Sequence, residues 1–211
     1  MNGQHYSIIV ATGDTKQKIA DLIKDKAPGN AAHIESSAAF LVYCIDFSNI
    51  KLSFDIEGGD FDISNQYEPL LIGSMDVGIA MQNATLAAES LGYGIVYCGG
   101  VRGFAKGISE LLNIPENALF LCGLSIGVID EEKSTEKVKP RLPHEANVGY
   151  NEFPKSNEEV LKQYRQTMID FAEARETKTW TKKFADFYAQ PSGIEKVTKE
   201  LLEKNGFVSK K

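Results

Sequence analysis

The hydrophobic pattern of the first two thirds of the chain predicts short strands separated by helices. Continuous apolar runs, which are typical of buried strands, occupy Ser7–Ala11, Ala39–Ile45 and Ala118–Val128, and a further short apolar strand lies inside Leu91–Gly103. The last third predicts helices alone. Strands and helices followed by helices only are typical of an α+β fold, here a single domain over residues 1–211.

Helical spacing of apolar residues predicts a first helix from Thr15 to about Lys26 and another from about Phe104 to Asn113. Asp14 and Gln17 resemble a capping box for the first helix, and Pro28-Gly29 breaks it. The acidic stretch 54–68, which contains Gly58-Gly59, predicts a solvated loop.

The C-terminal region predicts a helical extension over about 150–211. Ser156 with Glu159 resembles a capping box that opens one helix, and Thr179–Ala189 and Ser192–Lys204 predict two more. Before them, residues 130–138 read as a charged loop. Lys139–Pro143 is expected to be extended, because each proline disfavours the helical conformation of the residue before it.

The longest predicted helix runs from Leu70 to Leu91 and is apolar or small almost all round. Such a helix is buried inside a domain or at a subunit interface. Asp76, Gln82 and Asn83 lie within it and need hydrogen-bond partners, for which neighbouring backbone is the expected source.

Charge and cysteine content narrow the class of protein. The chain has 23 basic and 29 acidic residues, a net charge of -6, which argues against a nucleic-acid partner. No signal peptide and no apolar run of about 20 residues is visible, so a cytoplasmic protein without a membrane partner is expected. Cys44, Cys98 and Cys122 are widely spaced in apolar runs and predict buried, reduced thiols, with a Cys–His nucleophile as the alternative.

Five glycines lie within the twelve residues from Gly92 to Gly103, around the short strand that ends at Gly99-Gly100. Glycine lets backbone approach a ligand closely, so this run suits the floor of a cofactor site; ordinary turn glycines are the alternative. The spacing does not match the dinucleotide-binding fingerprint, because position 97 is Tyr, and the chain has no phosphate-binding loop of the GxxxxGK[ST] type.

Two cations, Lys139 and Arg141, are spaced so that both side chains point the same way on an extended segment. Such a pair suits a phosphate group, although basic surface strands are also common. No nucleophile–base order, carboxylate pair or metal-ligating cluster is evident in the sequence. Redox or group-transfer chemistry would therefore need a bound organic cofactor.

These features together resemble the nitroreductase / flavin reductase family, in its branch of NADPH-dependent FMN oxidoreductases. Met1–Gln4 with Ser7–Val10 is similar to the family's S-x-N-x-Q segment and first strand, and Phe40–Phe47 to its F-x-V-F-C-x-D-F strand. Asp76–Gly92 is similar to the family's central D-x-x-x-A-x-Q-N-A helix.

The later motifs of the chain include those that are specific to this branch. Tyr97–Arg102 resembles Y-I-G-G-x-R, and Lys139–Pro143 is K-P-R-L-P unchanged. Thr179-Trp180, followed by a helix that ends at Gly206-Phe207, also fits. The resemblance covers the whole chain.

The resemblance implies an α+β sandwich with a central antiparallel sheet, a homodimer formed through the long buried helix, and FMN at the interface. The backbone of Tyr97, Cys98, Gly99 and Gly100 would lie beside the flavin ring. Lys139 and Arg141 would hold the FMN phosphate or the N1/O2 side of the ring, and Asn2, Gln4 and Asn30 would reach the flavin.

The family's activity is ping-pong hydride transfer through flavin N5, from NADPH or NADH to a nitro compound, a quinone or a free flavin. Arg102, Arg175 and Lys178 would bind the NADPH phosphates, and no side chain need act as a catalytic acid or base. Family members carry a basic H-R-S-x-R-x-F helix before the S-x-N-x-Q segment, which we expect this chain to lack. The alternative is therefore a truncated, catalytically weak flavin-binding dimer.

Overall fold

A computed structural model describes residues 2–132, 134, 137–155, 157–172 and 178–209. The described chain divides into two compact units, Met1–Glu132 with Gly193–Lys211, and Lys133–Ser192. The first unit contains the strands β1 (Tyr6–Ala11), β2 (Ala39–Asp46), β3 (Tyr93–Cys98) and β4 (Ala118–Val128). Its helices are α1 (Gly13–Ile23), α2 (Pro28–Ser36), α3 (Ser48–Glu57), α4 (Glu68–Ser90), a 3-10 helix (Gly99–Phe104), α5 (Ala105–Leu112) and α9 (Gly193–Lys204).

The four strands form one antiparallel sheet in the order β1-β2-β4-β3. Helix α4 lies against all four strands. Gly73 allows the closest approach, because a Cβ atom at this position would collide with the side chain of Ile45. The mixed helix and sheet content and the antiparallel sheet confirm the predicted α+β class.

A single hydrophobic core fills the first unit. Phe40 and Ile45 on β2 face opposite sides of the sheet, and both are fully buried. Side chains from the surrounding elements join them in the core, among them Ile19, Ile23, Ile34, Val77, Val101, Ile108, Leu124 and Phe207. Burial of this many large side chains is the main stabilising contribution to the unit.

Helix α4 is buried on one face only. Gly73, Val77, Met81, Thr85 and Ala88 face the protein interior. The opposite face is apolar but exposed, and its side chains Leu71, Met75, Ile79 and Leu86 are all at least 57% accessible.

Two helices lie where the sequence predicted a break or a loop. Pro28 does follow the end of α1, but it also begins α2, because proline is well tolerated in the first helical turn. The predicted loop 54–68 is wrong in its first part, since α3 extends to Glu57. The loop begins only at Gly58, whose left-handed conformation (φ 73°) ends the helix.

The capping of α1 also differs from the prediction. Helix α1 begins at Gly13, its N-cap is Thr12, and no side chain caps it, so the Asp14–Gln17 capping box is wrong. The strand Ala118–Val128 is confirmed at both ends, and the two later helices of the C-terminal region begin within one residue of their predicted starts.

The second unit is helical, with α6 (His144–Asn147), α7 (Glu158–Ala172) and α8 (Trp180–Ala189). Ser156, the predicted cap of α7, lies outside the described residues. Asn157 caps the helix instead, and its side-chain oxygen accepts a hydrogen bond from the Val160 N–H at 3.0 Å. Trp180 packs edge-on against Tyr164, with 5.2 Å between ring centroids, and so joins α8 to α7.

Candidate functional site

The glycine-rich run forms the end of β3 and the 3-10 helix that follows it. Gly100 is exposed, and a Cβ atom placed there would lie 3.2 Å from the side-chain nitrogen of Asn30. The structure therefore brings together two residues that the resemblance assigned to the flavin, although 70 positions separate them in the sequence. Asn30 is half-buried, and its amide has no hydrogen-bond partner among the described residues.

The side chains of Tyr97 and Cys98, which precede the 3-10 helix, differ in their surroundings. The Tyr97 hydroxyl lies 2.6 Å from the Thr85 hydroxyl on α4 and is about 43% accessible. The Cys98 thiol is fully buried, 3.7 Å from the Ser125 hydroxyl, and burial raises its pKa. Only the backbone of Cys98 could contact a ligand.

Arg102 lies beside the same turn and is partly engaged by the protein itself. Its Nη1 donates a hydrogen bond to the Leu121 carbonyl at 3.3 Å, and a Cβ atom at Gly99 would lie 3.9 Å from that nitrogen. A guanidinium has five N–H donors, so the others can still meet an anion.

Asn2 and Gln4 line a cleft of about 500 Å³ on the side of α4. Gln4 has a left-handed backbone (φ 50°), and its carbonyl accepts a hydrogen bond from the Tyr6 N–H at 2.8 Å. The other residues that line the cleft are Gly3, Tyr6, Asp76, Ile79, Ala80 and Asn83.

Asp76 fixes this N-terminal segment to α4. One carboxylate oxygen of Asp76 accepts hydrogen bonds from the His5 main-chain N–H and from ring atom Nδ1, both at 2.9 Å. These bonds, the main-chain one first, lower the pKa of Asp76. Asp76 thus has a main-chain partner, as expected, but that partner belongs to His5, which is 71 positions away, and the His5 ring is its second partner. Gln82 instead accepts from the Tyr97 hydroxyl, at 3.4 Å.

The three thiols are free, as predicted. Cys44 and Cys98 are buried and Cys122 is half-buried. Burial raises the pKa of Cys44 to about 12, and it also raises the pKa of Cys122. Such thiols are poor nucleophiles at neutral pH.

Lys139 and Arg141 lie in the second unit and are both exposed. Arg141 Nη1 donates to the Lys139 carbonyl at 2.8 Å, whereas the Lys139 ammonium has no ion-pair partner within the described part of the chain. The Tyr164 hydroxyl donates to the Pro140 carbonyl at 3.1 Å. This segment is thus anchored to α7 through its central residue, with its two cations left in solvent.

Lys178 lies in a cationic depression of the second unit, while Arg175 falls outside the described residues. Lys178 and Lys182 both bind the Asp186 carboxylate, at 2.8 and 2.6 Å. The bonds from Lys178 and then from Lys182 lower the pKa of Asp186. Arg165, Thr179, Thr181 and Ala185 complete the depression, which has a volume of about 690 Å³. Arg165 and Lys182 were not predicted from the sequence as part of this surface, although Lys182 and Asp186 are spaced four apart on one helix.

Comparison with known proteins assigns the chain to a family. Residues 1–128 match the Nitroreductase family, and residues 139–210 match the C-terminal domain of the same family. The chain belongs to the nitroreductase family. This finding confirms the resemblance on which the site predictions rest.

Individual relatives of this nitroreductase-family chain cover nearly all of it. A "CR(VI) reductase" of Pseudomonas sp. (strain G-1) is 37% identical over 97% of this chain and 82% of its own length. The "FMN reductase [NAD(P)H]" of Bacillus subtilis (strain 168) is 34% identical over 98% of this chain and 82% of its own length.

A solved structure is also similar to this chain over nearly its whole length. The NADPH:FMN oxidoreductase from Vibrio harveyi, complexed with NAD+, superimposes with a TM-score of 0.81 and 33% identity. The match covers 99% of this chain and 83% of that one.

Two further observations concern the described residues alone. No helix among them is long and apolar enough to cross a membrane. No group of three His, Cys, Asp or Glu side chains within them could hold a metal ion.

The residues of the first unit fit FMN. Asn30 is half-buried, its amide has no hydrogen-bond partner within the part of the chain that the structure describes, and it lies next to backbone that carries no Cβ at Gly100. The main-chain N–H groups of Gly99 and Gly100 precede the first hydrogen bond of the 3-10 helix, so the helix itself offers them no acceptor. Amide groups of Asn30 and of the Gly99-Gly100 backbone thus lie close together, and a flat ring with oxygen and nitrogen edges needs donors of this kind.

Proposed function

We propose that this chain is an FMN-dependent NAD(P)H oxidoreductase that reduces nitro compounds, quinones or free flavins. The observation that carries the proposal is the contact between the Asn30 amide, which has no partner among the residues described, and the Gly100 backbone, in a chain of the nitroreductase family. Relatives named FMN reductase and NADPH-flavin oxidoreductase support the same activity.

The flavin ring would lie against the backbone of Tyr97–Gly100, with Asn30 at its edge. Asn2 and Gln4 would contribute amides from their own cleft, either to the same flavin or to that of the second subunit. Lys139 and Arg141 would hold the phosphate, or the N1/O2 side of the ring, because their cationic groups are exposed. The Tyr164 hydroxyl anchors the segment between them through the Pro140 carbonyl.

FMN, when bound, would supply the hydride-transfer chemistry between NAD(P)H and the oxidant. The chain's own residues bind and orient. N–H groups at Gly99 and Gly100 and nearby cations would stabilise negative charge on the reduced ring, which is the electrostatic part of catalysis. No side chain is assigned a catalytic role, consistent with three thiols whose pKa values are raised.

NADPH phosphates would bind at Arg102, Arg175 and Lys178. The depression that contains Lys178 supports this assignment, since it also presents Arg165, Lys182 and two threonine hydroxyls. An incoming phosphate would compete with Asp186 for the two lysines.

Two copies of the chain would associate through the exposed apolar face of α4 and form a homodimer. We propose that this homodimer is cytoplasmic. Leu71, Met75, Ile79 and Leu86 recur at helical spacing on this face and are largely accessible in the single chain. Exposed apolar stripes of this length mark interaction surfaces. We further propose that both compact units act together as one domain.

The test is to combine FMN titration, NADPH oxidation with a quinone, and sedimentation on one preparation. A dimer that gains thermal stability with FMN and oxidises NADPH only when a quinone is present supports the proposal. A dimer that binds FMN but oxidises no NADPH would instead be the catalytically weak flavin-binding protein. No FMN-dependent stabilisation and no turnover would reject both.

A further inference from the structure

A further cavity is lined by none of the residues assigned above to FMN or NADPH. Helices α1, α5 and α9 and the 3-10 helix enclose it, with a volume of about 260 Å³. Apolar side chains form much of its wall, namely Leu22, Phe104, Val197 and Leu201. We call it the α9 cavity.

The wall of the α9 cavity that α5 and the 3-10 helix supply is partly bare backbone. Gly103 and Gly107 lie four residues apart, and both line the cavity. A Cβ atom at Gly107 would lie 3.0 Å from Leu22, and one at Gly103 would lie 3.5 Å from Ile194. A side chain at Gly107 would therefore crowd Leu22 on the opposite wall, so this glycine helps to keep the cavity open.

The rim of the α9 cavity carries charge. Lys106, Lys204 and Glu200 line it and are exposed, giving an excess of one positive charge. Neither lysine has an ion-pair partner among the described residues. An apolar interior below unpaired ammonium groups suits a molecule with an apolar body and an anionic head.

The size of the cavity limits the apolar body. A cavity of about 150 Å³ lined by aliphatic and aromatic side chains accepts one benzene ring, so about 260 Å³ accepts a substituted ring or two fused rings. Phe104 favours an aromatic body, because ring pairs are attractive beyond the area that they bury.

We propose that the α9 cavity binds a monoanionic aromatic molecule of one or two rings. The ring contacts Phe104 and Leu201, and the carboxylate lies between Lys106 and Lys204. The site is separate from the flavin, but Gly103 and Phe104 belong to the same 3-10 helix as Gly99 and Gly100.

The probe is 2-naphthoate, added to the full chain in the presence of excess FMN so that the flavin site is occupied. Binding is measured by calorimetry and by backbone NMR shifts. We expect the largest shifts at Gly103, Gly107 and Val197. The neutral 2-naphthamide is the matched ligand and should bind more weakly.

Two variants decide where the anion binds. Lys106→Ala with Lys204→Ala should weaken 2-naphthoate binding about ten-fold and leave 2-naphthamide binding unchanged. Lys199→Ala, on the same helix but outside the cavity, is the control and should have no effect. The proposal is overturned if 2-naphthoate fails to bind, if the double variant binds it normally, or if the shifts lie elsewhere.

Discussion

His5 and Asp76 are joined by two hydrogen bonds of 2.9 Å, one from the main chain and one from the ring of His5, across 71 positions of sequence. The contact fastens the segment that carries Asn2 and Gln4 to the middle of α4. The His5 ring also packs on Phe47, with 4.8 Å between centroids. Contacts of His5 with Asp76 and with Phe47 therefore hold the N-terminal segment that lines the cleft.

Asp76→Ala should reduce the free energy of unfolding by about 1–2 kcal/mol at neutral pH, because two hydrogen bonds to a carboxylate are lost. The pKa of Asp76 is lowered in the folded protein, so its contribution is present above the unfolded value of about 3.9. The contribution disappears as the pH falls through the folded pKa.

Urea unfolding of both proteins between pH 7 and pH 2 measures this difference. The two stabilities should converge at the acid end. Glu89→Ala, at an exposed position of the same helix, is the control and should change stability by less than about 0.5 kcal/mol. A difference that persists unchanged at pH 2 would contradict the role given to the Asp76 carboxylate.

Gly100→Val should weaken FMN binding about ten-fold or more, because its side chain would occupy the space beside the Asn30 amide. The measurement is FMN affinity by quenching of flavin fluorescence. Gly193→Val is the control, since a Cβ atom there has no neighbour within 4 Å. Normal FMN affinity in Gly100→Val would show that the ring lies elsewhere.

Lys139→Ala with Arg141→Ala should weaken FMN binding by at least about 100-fold, since each charge-assisted bond is worth about 1.5–3 kcal/mol. Thermal stability without FMN should not change, because both side chains are exposed. Lys155→Ala with Lys162→Ala removes the same charge from the same unit and should leave affinity near its original value. If both double variants lost FMN affinity equally, the loss would come from the change in net charge and not from contacts of Lys139 and Arg141 with the phosphate.

Asp186→Asn should lower the KM for NADPH roughly two-fold or more, because Lys178 and Lys182 no longer share a carboxylate. Steady-state kinetics with NADPH and NADH measure the effect, which should be smaller for NADH if the depression binds the additional phosphate. Asp170→Asn on α7 is the control. An equal change for the two nucleotides would argue against that phosphate as the ligand.

Helices and strands with a strong hydrophobic pattern could be predicted from the sequence. Prediction was less accurate where tertiary contacts decide whether a segment is helical. The strand Ala118–Val128 was predicted at both ends because its long apolar run has one interpretation. Helix α3 was missed because acidic residues dominate its end, and α2 was missed because Pro28 signals both a helix stop and a helix start.

The candidate site residues also divide into those with a local sequence motif and those that only the fold brings together. Gly100 and Lys139 could be proposed as site residues from the sequence because their motifs are local, and these assignments stay predictions. The resemblance assigned Asn30 and Gly100 to the flavin separately, and their proximity was not predicted. The partner of Asp76 could not be predicted either, because no local pattern links positions 5 and 76. The need for a partner was visible, since a carboxylate in an apolar helix must be satisfied.

Anaerobic mixing of the FMN-loaded chain with NADPH tests the central claim most directly. We predict that the visible absorbance of the bound flavin is lost on mixing and returns when a quinone is added in equal amount. Flavin absorbance that NADPH leaves unchanged, in protein shown to hold FMN, would contradict the assignment of an NAD(P)H oxidoreductase.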